Sequence, residues 1–377
     1  MEGLELSEPV NYQEDRHDET AASLNFPIFQ SSAYVMPKGE KYRYTRESNP
    51  TVENLAIKIS ALEGTEKTTC FSSGMGAVFT TLFTILKPGS TLVIHRDMFS
   101  RTYRLSTDLL GAWGVKTKVA DPGTDNLLEA IESGADLVLV EAITNPILRV
   151  NDIGKIATRI HSQGGLLAVD STIATPYNLN PASLGADIVL HSVSKYISGN
   201  NDAIGGACSG QTKLIDRIDS MRRTTGPSMD PFTAFLVNQG IKTLDLRMKR
   251  INSNAERIAE AISHFKGIQE VYYPGLPSHP DHRIAREMLK GYSGIVTFKS
   301  RNSIDLVSLF KKLRTIIPAN TLGGVGTIIS HPATMSHRNL SAQEREKLGI
   351  TDTMFRLSVG IEDPDLILKD LEVFNGH

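Results

Sequence analysis

The sequence predicts an α/β fold, with a mostly parallel sheet in a large domain and a smaller α+β domain towards the C-terminus. Three observations lead to this prediction. At 377 residues the chain exceeds the size of one ordinary core. From Thr91 onward, apolar runs of strand length alternate with helical patterns, as in a parallel sheet covered by helices on both faces. A long helical pattern over 231–265 then leads into further strand patterns.

The large domain begins with a turn at Asn49-Pro50 and a helical pattern that ends at Gly64. Four apolar runs then predict buried strands, with helices between them. The strand runs are Thr91–His95, Asp136–Ala142, Gly165–Ser171 and Asp187–Ser192, and the helical patterns between them are Asp125–Ser133 and Asp152–Gln163. Because the carboxyl ends of parallel strands share one edge of the sheet, we expect the functional side chains to collect there.

The chain divides into three predicted segments. Residues 1–48 form an N-terminal arm, polar and acidic at first and then apolar and proline-broken, which we expect to contact a neighbouring subunit; packing on its own domain explains the apolar part equally well. We expect residues 49–246 to form the large domain, which carries these strand ends, and residues 247–377 to form the small domain. In the latter, strand runs at Gly294–Ser300, Arg314–Asn320 and Met354–Gly360 accompany a helical pattern at Ser303–Leu313.

Composition narrows the class of protein. A net charge of −2 gives no electrostatic footprint for nucleic acid or a membrane surface, and charged residues make up an ordinary 22%. Cys70 and Cys208 lie too far apart for a zinc motif or a disulfide framework, so we expect buried free thiols and no metal site. The sequence shows no secretory signal pattern and no apolar run of about 18 residues, which predicts a cytoplasmic protein.

Polar side chains follow the predicted strands where each one ends. Glu141, Asn145, Asp170, Ser192 and Lys195 all lie at or just past these ends. A lysine at the end of a buried strand loses part of its hydration, which disfavours its charged form and leaves an amine able to react with an aldehyde. On its own the lysine is weak evidence, since most lysines are merely solvated.

Two further features suit a phosphate group. The small-residue turn before the helical pattern 71–86 contains Gly74, and free N–H groups at such a helix start bind anions. Tyr44 and Arg46 are two residues apart, so in an extended chain they point the same way and can clamp a phosphate. A common glycine turn and an ordinary surface pair are the alternative interpretations.

These features together match what pyridoxal phosphate requires: a lysine, an anion beside the ring nitrogen, a phosphate cradle and an aromatic face. Lys195 provides the first and Asp170 the second, while Gly74 and Met75 with Ser192 and Ser194 provide the third. Each residue also has an ordinary explanation, as a helix cap or a turn hydroxyl. Their coincidence at the strand ends of one sheet favours the cofactor.

The chain resembles the Cys/Met-metabolism (trans-sulfuration) family of pyridoxal-phosphate enzymes, which includes cystathionine γ-synthase, cystathionine γ-lyase, cystathionine β-lyase and methionine γ-lyase. The resemblance covers nearly the whole length. It implies an aspartate-aminotransferase-like fold (fold type I) and a homotetramer built from dimers that share their active sites. The motifs that carry it are YRYTRESNPT, SSGMGA, EAITNPILRVNDI, AVDSTIATP, GADIVLHSVSKYISG, IKTLDLRM, LGGVGTIISHPATMSH and RLSVGIED.

Matched position by position, the resemblance implies that Lys195 is the catalytic residue and that Tyr44 and Arg46 reach the neighbouring subunit's site. It implies that Arg356 grips the substrate carboxylate, with Thr321 beside it; a fork of donors suits bidentate carboxylate binding. The cofactor-binding residues implied are Tyr44, Arg46, Ser73, Gly74, Met75, Phe99, Asn145, Asp170, Thr172, Ser192, Ser194 and Lys195.

The chain departs from the family pattern at Phe99, where relatives carry a tyrosine thought to protonate the leaving group. A thiolate (thiol pKa about 8.5) needs that proton far more than a carboxylate (acid pKa about 4) does. Arg101, at the expected site mouth, can pair with an anionic leaving group, although a surface arginine is an equal alternative. Gly326 replaces a glutamate that many relatives have, which disfavours cystathionine as a good substrate.

These departures favour γ-replacement on an O-activated homoserine, the cystathionine γ-synthase type of reaction, with a small amino acid as substrate. Cystathionine or methionine γ-lyase activity, which gives a 2-oxo acid, ammonia and a thiol, is the first alternative. A non-catalytic binding module of the same fold is a second alternative, which Lys195 disfavours and Phe99 favours. An aminotransferase is the third, and the motif set disfavours it.

Overall fold

Two separate β-sheets organise the chain. The computed structural model describes residues 23–35, 41–336, 338 and 341–375, so the first part of the predicted arm lies outside the described residues. One sheet has seven strands and the other five. The strands are β1 Lys67–Phe71, β2 Thr91–His95, β3 Lys116–Ala120, β4 Leu137–Glu141, β5 Leu166–Asp170, β6 Ile188–His191, β7 Gly206–Gly210, β8 Ile268–Tyr272, β9 Ile295–Ser300, β10 Ile317–Pro318, β11 Ile328–Ser330 and β12 Met354–Ser358.

Helices cover both sheets. They are α1 Pro50–Glu63, α2 Gly74–Ile85, α3 Ser100–Arg104, α4 Leu110–Ala112, α5 Thr124–Glu132, α6 Ile153–His161, α7 Thr175–Asn178, α8 Thr212–Thr225, α9 Pro231–Ile241, α10 Leu244–Ser263, α11 His282–Met288, α12 Leu306–Lys312, α13 Ala342–Lys347 and α14 Pro364–Leu371. A π-helical turn, Leu105–Leu109, joins α3 to α4, and 3₁₀ turns lie at Pro181–Leu184 and Glu372–Phe374. Within the described residues, none of these helices combines the length and the apolar character that crossing a membrane requires.

The large sheet has the order β1-β7-β6-β5-β4-β2-β3. All neighbours are parallel except β7, which runs antiparallel to β1 and to β6. The mostly parallel sheet is therefore confirmed, and β2 has the bounds that its apolar run predicted. The core residues of β4 are completely buried, as expected for a strand covered on both faces.

The small sheet has the order β10-β11-β12-β9-β8 and is antiparallel apart from the pair β10 and β11. Strands β9, β10 and β12 and helix α12 lie within the runs that predicted them. Strands β8 and β11 escaped the sequence prediction. Strand β11 has only three residues, too short for an alternating pattern to show.

The helical pattern over 231–265 is two helices and not one. Helix α9 ends at Ile241, and α10 starts at Leu244 after a turn at Lys242 and Thr243. Early α10 residues such as Met248 belong to the core of the large sheet, whereas Ala255 and the apolar residues after it belong to the core of the small sheet. We propose that the two domains divide along α10, close to the boundary expected at residues 246 and 247.

Local sequence explains the helix that follows the arm. Asn49 caps α1 because its side-chain Oδ1 accepts hydrogen bonds from the N–H groups of Thr51 (3.0 Å) and Val52 (3.4 Å). Pro50 occupies the first turn, and Gly64 ends the helix with a φ of 65°, as the sequence predicted. Cys70 and Cys208 are buried free thiols, also as expected, and burial raises the pKa of each to about 12.

Candidate active site

A cavity of about 1100 Å³ lies at the carboxyl ends of β4, β5 and β6 and reaches the small domain. All of the predicted site residues line it except Tyr44 and Arg46. The lining members of that set are Ser73, Gly74, Met75, Phe99, Arg101, Asn145, Asp170, Thr172, Ser192, Ser194, Lys195, Thr321 and Arg356. The topology of a parallel sheet explains this grouping, because the residues that follow its strands meet at one edge.

At one end of the cavity, the start of α2 faces the turn after β6. Ser73 caps α2 by accepting a hydrogen bond from the N–H of Gly76 at 3.0 Å, and the first N–H groups of the helix have no partner within it. A Cβ on Gly74 would lie 2.8 Å from the Cβ of Ser192, so only glycine fits. The Ser192 N–H donates to Thr172 Oγ1 at 2.9 Å, whereas the Ser194 hydroxyl accepts from Gly205 N–H at 2.9 Å. The neutral donors at this end suit an anion such as a phosphate.

Lys195 lies in the turn that follows β6. Its Nζ donates a hydrogen bond to Thr321 Oγ1 at 3.3 Å, and it forms no ion pair within the described residues. Burial lowers the pKa of the Lys195 amine, and the nearby charge of Arg356 lowers it further. Behind the turn, buried Arg247 donates to the carbonyl of Tyr196 at 2.6 Å, which fixes the backbone next to the lysine.

Two carboxyl groups lie side by side on the floor of the cavity. The sheet register pairs Glu141 at the end of β4 with Asp170 at the end of β5, and both line the cavity. Burial raises the pKa of Asp170, and burial together with the Asp170 charge raises the pKa of Glu141 well above its usual value. Asp170 accepts the Thr172 N–H at 2.9 Å and has no cationic partner among the described residues. This floor can accept a positively charged ring nitrogen.

The sequence predicts Glu141 at a strand end but gives no reason to assign it to the site. One carboxylate oxygen accepts the main-chain N–H of Phe99 at 2.7 Å, and the other is buried without a hydrogen-bond partner. Its N–H donates to His95 Nε2 at 2.9 Å, so the His95 Nδ1–H donates to Asp97, also at 2.9 Å. These bonds fix the ends of β2 and β4 relative to each other, and with them the position of Phe99.

Arg356 of β12 brings the small domain into the site. Its side chain is almost completely buried, and its guanidinium donates to Asn145 Oδ1 at 3.2 Å and to the Thr321 carbonyl at 2.8 Å. Its Nε is buried with no partner, and the residue forms no ion pair among the described residues. Burial lowers the pKa of Arg356 to about 10. A buried, unpaired guanidinium can bind the carboxylate of a substrate.

The rim of the cavity carries aromatic and cationic side chains. Phe99 is 44% exposed, which leaves its ring accessible from the cavity, and Arg101 has no carboxylate partner among the described residues. Tyr103, Arg104 and Arg338 line the same cavity and were not predicted, because no strand end or glycine turn singles them out in the sequence.

Tyr44 and Arg46 lie together but outside the cavity of their own chain. The Arg46 guanidinium carbon is 5.7 Å from the centre of the Tyr44 ring, and Tyr44 is 46% exposed. Their assignment to a neighbouring subunit's site stays a prediction. Gly326 does not line the cavity of its own chain either, so the absence of a glutamate there leaves this cavity wall unchanged.

The cavity therefore offers an amine of lowered pKa, a carboxyl group with no ion-pair partner among the described residues, a close approach at Gly74 that only glycine permits, and a ring that can stack. These groups fit pyridoxal phosphate, and on a mostly parallel sheet with a smaller C-terminal domain they define a pyridoxal-phosphate enzyme of fold type I. The chain belongs to the family of Cys/Met metabolism PLP-dependent enzymes, whose sequence model matches residues 9–374.

Similar proteins agree with this family and differ in the reaction that they are named for. Cystathionine gamma-lyase of Dictyostelium discoideum is 37% identical over 94% of this chain and 93% of its own. L-methionine gamma-lyase of Fusobacterium nucleatum subsp. polymorphum is 36% identical over 93% of both chains. The solved structure of cystathionine gamma synthase from Xanthomonas oryzae pv. oryzae in complex with cystathionine matches with a TM-score of 0.93 and 34% identity, over 97% of this chain and 96% of that one. The chain is thus a trans-sulfuration enzyme, not a non-catalytic module.

The close approach at the cradle leads to a first testable prediction. Gly74→Ala places a methyl group against the Cβ of Ser192 and pushes α2 away from the turn after β6. We expect the affinity for pyridoxal phosphate to fall by roughly tenfold or more, since one charge-assisted hydrogen bond is worth about that much. Titration of the cofactor-free protein by visible absorbance measures it.

The control is Gly111→Ala in α4, where an added Cβ meets nothing within 4 Å. This variant should bind the cofactor as the wild type does. Equal affinities for the Gly74→Ala protein and the wild type would show that the cradle lies elsewhere.

Proposed function

We propose that the enzyme catalyses γ-replacement on an O-activated homoserine and joins it to a thiol, as a cystathionine γ-synthase does. The observation that carries this proposal is the position of Phe99 in the cavity wall, where its ring can stack but offers no hydroxyl for a leaving group. A carboxylate or phosphate needs little protonation to leave, whereas a thiolate needs much. An ester of homoserine is therefore a better substrate than a thioether for this cavity.

The residues that we propose to hold the cofactor are those that the geometry groups by chemistry. Lys195 would bind the aldehyde and Asp170 the ring nitrogen, while Asn145 would serve the ring hydroxyl and Phe99 the ring face. The start of α2 from Ser73 to Met75, with Thr172, Ser192 and Ser194, would hold the phosphate. When bound, pyridoxal phosphate supplies an electron-withdrawing ring that stabilises negative charge on the substrate carbons next to the amino group.

The chain's own residues supply binding and proton transfer. Arg356 binds the substrate carboxylate through its buried guanidinium. Thr321 orients both cationic side chains, because its carbonyl accepts a hydrogen bond from Arg356 and its hydroxyl accepts one from Lys195. Because burial lowers the pKa of Lys195, a larger share of the amine is neutral and able to remove a proton from the α-carbon. Once it has given up that proton, the same amine can remove a proton from the β-carbon, and the electron pair left there expels the γ-substituent as an anion. Arg101 receives the departing anion at the rim.

The runner-up is γ-elimination of cystathionine or methionine, which gives a 2-oxo acid, ammonia and a thiol. Similar proteins named as lyases are as close in sequence as the synthase, which favours this second candidate. Both reactions use the same residues up to the departure of the γ-substituent, so the leaving group distinguishes them.

We also propose a homotetramer built from dimers, in which Tyr44 and Arg46 complete the neighbouring subunit's phosphate site. Two observations support this. Both residues are outside their own cavity, and the described part of the arm exposes apolar side chains such as Leu24 (74%) and Val35 (81%).

The reaction itself is the second prediction. With an O-acyl or O-phospho homoserine and cysteine, the enzyme should form thioether faster than it cleaves cystathionine. Lys195→Ala should lower both rates by roughly 10²–10⁴-fold, the usual contribution of a positioned base, while the protein stays folded. Chromatography of the products and ammonia release give the two rates. Fast cleavage of cystathionine without any replacement would make the enzyme a lyase.

Phe99→Tyr is the third prediction, because it returns the phenol that relatives have. We expect cystathionine cleavage to rise by about tenfold relative to γ-replacement, since the new hydroxyl protonates the thiolate. Phe99→Leu, which removes only the ring, should lower both reactions equally. An unchanged ratio in the tyrosine variant would refute the argument from leaving-group pKa.

Arg101→Gln is the fourth prediction. For a succinyl or phosphate ester the KM should rise by about fivefold to tenfold, the worth of one exposed charge-assisted hydrogen bond. The O-acetyl ester, whose leaving group carries no charge before it departs, serves as the matched control and should keep its KM. Equal changes for both esters would mean that Arg101 is an ordinary surface residue.

A further inference from the structure

One buried arginine fastens the Tyr44–Glu47 segment to the body of the large domain. Arg222, in the last turn of α8, is 6% exposed. Its Nη1 donates to the carbonyl of Arg46 at 2.9 Å, and its Nη2 donates to the carbonyl of Glu47 at 2.7 Å. The guanidinium therefore holds two successive carbonyls of the segment that carries the predicted phosphate clamp.

The segment has further bonds to the same region. The Ser228 hydroxyl lies 2.7 Å from the Arg46 carbonyl and donates to it, and Arg222 Nη1 donates to that hydroxyl at 2.6 Å. The Arg46 side chain donates in turn to the main-chain carbonyl of Arg223, at the end of α8. The backbone of residues 46 and 47 is thus tied to the end of one helix.

The arginine is itself held from behind. Its Nε donates to Asp219 Oδ1 at 2.8 Å and to Thr69 Oγ1 at 3.2 Å, and Thr69 Oγ1 donates to the same Asp219 oxygen at 2.7 Å. Thr69 lies in β1, so a series of hydrogen bonds runs from the large sheet through Asp219 and Arg222 to the Tyr44–Glu47 segment. A buried guanidinium with every nitrogen bonded and a carboxylate partner orients what it binds.

We propose that Arg222 is a positioning residue for the phosphate site of the neighbouring subunit: it sets the backbone from which Tyr44 and Arg46 reach across. This inference rests on the proposed function, in which those two residues serve the neighbour. It goes beyond that function because Arg222 lies outside the cavity of its own chain and touches no cofactor itself.

A competing effect on the chain's own site has to be separated from this one. Ser228 pairs with Phe71 at the end of β1, and the N–H of Ser72 donates to the carbonyl of Pro227 at 3.0 Å, just before the cradle at Gly74. Removing Arg222 could therefore loosen either the neighbour's clamp or the chain's own cradle. The two directions give opposite results in mixed oligomers.

The first test is cofactor affinity. Arg222→Gln should weaken binding of pyridoxal phosphate to the cofactor-free protein by roughly tenfold or more, the worth of one lost charge-assisted hydrogen bond. Arg222→Lys keeps the positive charge but loses the planar guanidinium, so its affinity for pyridoxal phosphate should lie between those of Arg222→Gln and the wild type. Visible absorbance gives the dissociation constant without any turnover. An affinity unchanged in both variants would overturn the proposal.

Arg223→Gln is the matched control. This arginine is the next residue of the same helix and its side chain also binds Asp219, at 2.6 Å, but it forms no side-chain bond to residues 44–47. Its cofactor affinity should equal that of the wild type. If Arg223→Gln lost as much cofactor affinity as Arg222→Gln, the loss would come from disturbing Asp219 and α8 and not from moving Tyr44 and Arg46.

The second test uses mixed oligomers, purified through two different tags after co-expression. An Arg222→Gln chain paired with a Lys195→Ala chain should contain one sound site, made from the lysine of the first chain and the clamp of the second. It should therefore show about half of the wild-type cofactor binding and activity. A chain that carries both substitutions, paired with a wild-type chain, should show little of either, because the only lysine then meets the weakened clamp.

The reverse pattern would overturn the inference and place the effect of Arg222 in its own cradle. A parallel pairing of Arg46→Ala with Lys195→Ala separates the two proposals. If that pairing restores a site and the Arg222→Gln pairing does not, sharing of the clamp stands and the inference fails. If neither pairing restores a site, or no mixed oligomer forms, the shared site itself fails, and the inference with it.

Discussion

The charge of Arg356 is buried and has no ion-pair partner among the described residues, and the other charged groups of the cavity depend on it. A buried guanidinium is costly unless it is hydrogen-bonded, and here Asn145 of the large domain and the Thr321 carbonyl of the small domain supply the acceptors. The two domains are thereby joined at the reacting centre. Because neither acceptor is an anion, the positive charge is left to act on a substrate carboxylate and on the amine of Lys195, whose pKa it helps to lower.

The two carboxyl groups on the floor of the cavity also lack an ion-pair partner among the described residues. Asp170 and Glu141 are paired in register and share no cation among the described residues, so burial raises the pKa of both and the charge of Asp170 raises that of Glu141 further. A ring nitrogen that carries a proton would relieve this at Asp170. One carboxyl oxygen of Glu141 accepts the main-chain N–H of Phe99. The partner of Asp170 in the sheet register therefore also positions the aromatic ring.

Sequence alone could locate the strand ends, because apolar runs such as 137–141 and 166–170 are buried on both faces and leave a strong signal. It could not find residues that act through contacts distant in the chain. Glu141 matters through its register with Asp170, and Arg247 through the carbonyl of Tyr196, a pairing that spans 51 positions. Strand β7 also escaped prediction, since its composition, Gly-Ala-Cys-Ser-Gly, shows no apolar run although the sheet buries it completely.

The charge of the cradle bears on the proposal that Arg46 serves a neighbouring chain. The donors at the start of α2 and after β6 are N–H groups and hydroxyls, all neutral, whereas a phosphate ester carries between one and two negative charges near neutral pH. A buried anion of that charge calls for a cation. Lys195, which is the one lysine among the described residues that line the cavity, donates a hydrogen bond to Thr321. Arg46 has the required charge and lies outside the cavity of its own chain, which supports the proposal that it serves the phosphate site of a neighbouring chain.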